Sequence, residues 1–146
     1  MEIITKNKVF NELDKNYRYL NNYMIAMEKA LFRDANISIT KAKMFSENLT
    51  QEVAKLEGLG LLIGMDQNDR LKELKIKTDI DEDGLAIFNK IRRVINMSSI
   101  DSRNNSESAL ILHRCSYDLT CWFVNRYINK EFNMEEYIMP TVNIKS

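Results

Sequence analysis

A single proline, Pro140, and four glycines are the only strong helix breakers in this chain of 146 residues. Proline removes a backbone donor and collides with the preceding helical turn, and glycine costs conformational entropy on folding. Long helices are therefore permitted almost everywhere before Pro140. The length suits one domain, long enough to bury a core without disulfides or metal. With 45% hydrophobic and 29% charged residues, the composition is that of a globular protein rather than a disordered one.

Apolar periodicity places the helices. Leu13, Tyr17, Leu20, Met24, Met27 and Leu31 step by four and three, so they draw one stripe on a helix expected from Phe10 to Arg33. Asp34 to Asn36 interrupts the pattern. A second helix is predicted from Ile37 to Leu56, ended by Gly58. Asp66 can cap a third over Gln67 to Lys77. A fourth is expected from Ile80 to Ser98, with Asp79 and Glu82 at capping-box spacing. Its apolar residues wrap more than half its circumference, which makes it central. The fifth is expected to start at Asn104 and end near Asn129. The reading is all-α: a four- to five-helix bundle in one domain, 1–146. Its core is expected over about 10–129, and an irregular tail, 130–146, packs back through Phe132, Tyr137 and Ile138.

Charge and inventory narrow the function. Twenty-one basic and 21 acidic side chains give a formal net charge of zero, so any nucleic-acid contact must come from a local patch. Cys115 and Cys121 are six residues apart, on different faces of one helix, and cannot bridge each other. They are expected as buried thiols. No signal sequence or membrane-length apolar run is present, and a cytoplasmic location with no membrane partner is expected.

Asp79, Asp81, Asp83 and Gly84 match the first half of a calcium-binding loop. The twelfth position, which needs a bidentate carboxylate, is Lys90. The acidic cluster is better explained as negative charge at a helix N-terminus. His113 is the lone histidine, and no histidine or cysteine pair has metal-ligand spacing. Neither a phosphate-cradling glycine loop nor a nucleophile elbow occurs. No metal or cofactor is expected.

The fourth helix carries the informative polar residues. Asn89, Arg93 and Asn96 are four and three apart and form a stripe, facing either solvent or an interface. Arg92 falls on an apolar face, where a cation needs a carboxylate partner or a route to water.

The run from Ile91 to Ile100 resembles a signature reading I-R-x-x-G-N-x-A-A-H. That signature marks a HEPN-like domain (higher eukaryotes and prokaryotes nucleotide-binding), found at the N-termini of type I restriction-enzyme motor subunits and related DEAD/DEAH-box helicases. Glu28 to Asp34, Lys41 to Glu47, Asn68 to Leu74 and the stretch from Ser108 to Pro140 resemble other parts of the same family, in order, over about residues 10–140. The resemblance implies a four- to five-helix bundle, often a homodimer.

The departures from that pattern bear on activity. Active members pair an arginine with a histidine on this helix, the first steadying phosphate charge and the second moving protons. By the resemblance the arginine is Arg93 and the intervening polar residue Asn96, but the histidine position is Ile100. A further arginine on the second helix is replaced by Lys43, which keeps charge without the planar fork. The expectation is a non-catalytic binding or assembly domain. It would be an accessory module of a restriction-type helicase system, or a stand-alone relative acting with one. Its contacts, to DNA, RNA or protein, would run through Arg93, Asn96, Lys43, Asn89 and Arg92. One alternative is a metal-independent ribonuclease using Arg93 with His113 across a dimer. Another is a phage or mobile-element protein that acts only by protein contact.

Overall fold

A computed structural model describes residues 2–4, 7–100 and 105–143, with side chains described over 7–98 and 105–141. Six α-helices make up the described fold: α1 (Val9–Asn16), α2 (Arg18–Ala30), α3 (Ala35–Leu56), α4 (Gln67–Lys77), α5 (Glu82–Ile100) and α6 (Asn105–Phe123). A 3-10 segment, Gly60–Gly64, joins α3 to α4, and α6 runs on into a π-helical turn, Val124–Ile128. Two three-residue strands, β1 (Glu2–Ile4) and β2 (Thr141–Asn143), pair antiparallel with Ile3 opposite Val142.

The all-α bundle is as expected, with one correction at a helix break, one at a helix start and one in the tail. The helix expected from Phe10 to Arg33 is two helices. Tyr17 sits at φ −136°, ψ 57°, outside the helical region, and closes α1 through its N–H to the Leu13 carbonyl at 2.9 Å. Its own carbonyl then receives the Leu20 and Asn21 N–H groups at 3.0 and 3.2 Å, opening α2. The Tyr17 ring packs edge-on against Phe123, 5.3 Å between centroids. Both helices bury the same stripe, so the apolar period runs through the break.

The second correction concerns α5, which begins at Glu82 rather than Ile80. Asp79 does not act as its cap: the Asp79 carboxylate accepts from Arg126 at 3.0 Å, and Asp81 accepts from the Trp122 indole N–H at 2.7 Å. Both acidic residues are thus drawn towards the end of α6. The expected start of the last helix, Asn104, lies outside the described residues, and α6 is described from Asn105.

Local signals are honoured elsewhere. The Asp34 side chain accepts from the N–H groups of Asn36 and Ile37 at the start of α3. Asp66 does the same for Asp69 at the start of α4. At the end of α3, Gly58 takes φ +75°, and the N–H groups of Gly58 and Leu59 return to the carbonyls of Lys55 and Ala54. This is a Schellman ending, which needs the left-handed residue that glycine supplies without strain.

The core gathers Leu13, Leu20, Met24 and Met27 with Phe45, Leu49 and Val53 of α3 and Leu112, Leu119 and Phe123 of α6. Each such side chain contributes about 1.5–3 kcal/mol on burial. Cys115 and Cys121 are buried free thiols, and burial raises both their pKa values, Cys121 to about 11. The tail is irregular from 133 to 140 and then pairs as β2, a strand not anticipated. Phe132 and Tyr137 pack on the core as expected, whereas Ile138 is exposed and docks by its backbone, which exchanges two hydrogen bonds with the Asn7 side chain (2.7 and 2.9 Å). No helix among the described residues is long and apolar enough to cross a membrane.

Candidate functional site

The wall of the candidate site is set by a buried cation. Arg70, on α4, is 2% exposed. Its Nη1 donates to the carbonyls of Leu62, Ile63 and Met65, its Nε to Thr50 Oγ1 at 3.0 Å, and its Nη2 to Gln67 Oε1 at 2.8 Å. Burial lowers its pKa, opposed by the charges of Glu47 and Asp66. The guanidinium thus ties the 3-10 segment, α3 and the first turn of α4 together. Thr50 also donates to Gln67 Oε1, at 2.6 Å. With its oxygen twice engaged, Gln67 is left with only its amide N–H groups as uncommitted side-chain donors.

Gln67 lines a groove of about 310 Å³ between α3, the start of α4, and α5. Lys43 and Glu47 come from α3, Asp66 and Asn68 from the start of α4, and Arg92 and Asn96 from α5, over apolar ground made by Phe88 and Ile95. Three of the sequence-derived candidates, Lys43, Arg92 and Asn96, therefore meet in one groove. Asn89 stands beside them: its Nδ2 donates to the Leu85 carbonyl at 3.0 Å and its Oδ1 accepts from Arg92 Nη2 at 3.5 Å. A second depression, about 470 Å³, lies on the other flank of Arg92 and Asn68 and includes Lys72, Lys75 and Asn89.

Arg92 is half-buried, and its Nε is buried with no hydrogen-bond partner among the described residues. It meets the need for a route to water by opening onto both depressions, and among the described residues it pairs with no carboxylate. Arg93 is exposed and does not line the groove. The backbone of Ile100 is the last residue of α5, and its side chain lies outside the described residues.

A second polar constellation went unread in the sequence. His113 is fully buried, with Nε2 2.8 Å from Glu28 Oε1 and Nδ1 2.6 Å from the Tyr137 hydroxyl. Burial pushes the Tyr137 phenol up to about 12, although the Arg114 guanidinium 4.7 Å above its ring opposes the shift. In the sequence His113 stands next to Leu112 of the apolar face, which suits a packed histidine but names no partner.

The fold and groove define a helical bundle with a mixed-charge polar cleft formed by three helices. In sequence the chain is similar to the type I restriction enzyme EcoKI endonuclease subunit of Escherichia coli (strain K12), 29% identical over 113 residues. That match covers 73% of this chain and 9% of the relative, so the chain spans a small part of the relative's length. No family model matches the chain, and no solved structure matches it.

Proposed function

We propose that this chain is a non-catalytic binding and assembly domain of HEPN-like type, an accessory to a restriction-type helicase system, with the α3/α4/α5 groove as its contact surface. The convergence of Lys43, Arg92 and Asn96 on that groove carries the reading. The distant, partial similarity to a restriction-enzyme subunit supports the association with such systems.

A protein partner fits the groove better than a nucleic acid does. Its two cations, Lys43 and Arg92, are matched by two anions, Glu47 and Asp66. Tracking a phosphate backbone requires an uncompensated positive surface, which releases counterions on binding. A cleft with both signs over an apolar floor instead suits a peptide surface carrying its own complementary charges. The ribonuclease alternative needs His113 to reach a substrate, whereas the ring is 0% exposed with both nitrogens engaged.

The test is binding of the purified chain to the purified motor subunit of a type I restriction system from the same genome. Fluorescence anisotropy with duplex DNA and single-stranded RNA runs in parallel. Saturable protein binding that weakens at least tenfold in Lys43→Glu and Arg92→Glu is the expected result. Nucleic-acid binding with a steep salt dependence, lost in the same variants, would replace the protein partner by a polyanion. No binding to any of the three removes the reading.

A further inference from the structure

Between α1 and α2 lies a cavity of about 320 Å³ whose lining shares no residue with the groove. Glu28 lines it, although the residue is only 3% exposed. A carboxylate taken out of water needs a compensating charge or several donors. Among the described residues no lysine or arginine forms an ion pair with Glu28, and its polar partner is His113, on one oxygen. Lys8, the cation in the lining, pairs with Glu135 at 3.7 Å.

The rest of the lining describes the ligand that would suit a carboxylate in this position. Asn21 donates through Nδ2 to Asp14 at 3.1 Å, which leaves its carbonyl oxygen as an acceptor. Asn11 adds a second amide at the exposed mouth. Phe10, Met24 and Ile25 supply apolar walls. An anion flanked by amide acceptors and backed by hydrocarbon matches a charged nitrogen on a methylene stem. His113 occupies one oxygen and leaves the other for a ligand, which favours a compact ammonium over a planar guanidinium that pairs with two oxygens.

We propose that this cavity is a binding site for a primary alkylammonium group, as carried by a lysine side chain of a partner protein or by a free polyamine. The inference is independent of the groove.

The experiment is a titration of the full 15N-labelled chain with n-butylammonium chloride at neutral pH, followed by NMR, with n-pentanol as the uncharged control. Saturable shifts at the side-chain amides of Asn11 and Asn21 and the backbone of Ile25 and Glu28 are expected, with none from n-pentanol. Glu28→Gln keeps an oxygen for His113 and removes the charge, and affinity should fall at least tenfold. Asn11→Lys, at an exposed position, places a tethered ammonium at the mouth and should abolish binding even if Glu28→Gln fails to fold. Equal shifts from n-pentanol, or unchanged affinity in Asn11→Lys, overturn the proposal. Spermidine and N-acetyl-lysine N-methylamide then separate the sources. The tighter of the two identifies a free polyamine or a protein lysine, and failure of all three amines to saturate overturns the site.

Discussion

The imidazole of His113 and the carboxylate of Glu28 are 85 residues apart in the chain and 2.8 Å apart in the fold. Against an ionised carboxylate Nε2 carries the proton, and in a neutral imidazole Nδ1 then accepts from the Tyr137 hydroxyl. One buried histidine thus links α2, α6 and the returning tail. Both ring nitrogens of His113 are used in this linkage, and Nε2 is the polar partner of the Glu28 carboxylate among the described residues.

Removing one member should therefore cost more than removing both. His113→Phe leaves the Glu28 carboxylate buried without its donor, and breaking such a pair costs about 3–5 kcal/mol. Glu28→Leu with His113→Phe removes both polar groups and should recover much of that loss. Urea unfolding of the two singles and the double measures the coupling. Additive losses in the double variant would show that the pair is not a unit.

What was legible in the sequence was local. The Asp66 cap and the Gly58 ending each depend on residues within one turn and stand where the pattern put them, whereas the interruption at Asp34 proves to be the cap of α3, which starts at Ala35 rather than Ile37. Tyr17 breaks a helix through its own backbone angles, which an apolar period does not record. Arg70, in the middle of a polar helix, gave no sign that carbonyls brought from another segment would surround it. In the candidate site, the stripe of Asn89, Arg93 and Asn96 is only partly what the fold uses. On a helix Asn96 lies about 40° round from Arg92 and about 60° from Arg93. The face that Phe88 and Ile95 turn towards α3 takes Arg92 with it and leaves Arg93 outside. Counted in register with Ile91 and Ile95, the signature's arginine falls on Arg92, not on Arg93 as the arginine–histidine pairing above has it.

Stability should decline on the alkaline side. Tyr137 and Tyr127 are pushed up to about 12 and Cys121 to about 11, in each case chiefly by burial, from ordinary values of 10.0 and 9.0. The fold favours their neutral forms. Their contribution is whole below the ordinary values and is lost as pH rises through the folded ones, a window of pH 9 to 12. The urea midpoint should fall across that window, and Tyr137→Phe should make the fall shallower. A midpoint that stays level to pH 12 contradicts the assignment.

Arg70 supports the groove from behind, and its loss should be felt in both stability and binding. In Arg70→Leu the carbonyls of Leu62, Ile63 and Met65 lose a charged donor, and single hydrogen bonds of that kind are worth about 1.5–3 kcal/mol. A loss of at least about 3 kcal/mol is expected. Arg70→Lys keeps the charge but cannot fork to Thr50, Gln67 and the carbonyls together, so it should recover only part. Thermal unfolding checks the first point, and amide exchange across 60–67 checks whether the 3-10 segment loosens. Full stability in Arg70→Lys would mean that charge alone holds the segment.

Gly84 offers a test in which the same substitution should change sign. A methyl group there would lie 2.3 Å from Cε2 of Trp122, whose indole rests on the first turn of α5 and is held by Asp81. Gly84→Ala ought to gain up to about 1 kcal/mol from helix propensity alone. Against that, forcing a side chain into a filled site costs about 1–3 kcal/mol, and here the neighbour is a rigid ring packed edge-on with Phe88 and Tyr127. The collision should win, so Gly84→Ala destabilises the native chain. In a Trp122→Ala background the ring is gone, the space is open, and the propensity gain remains, so Gly84→Ala should stabilise. Denaturant midpoints of the four proteins in this cycle decide it. If Gly84→Ala stabilises both backgrounds, the Trp122 ring does not rest on the first turn of α5.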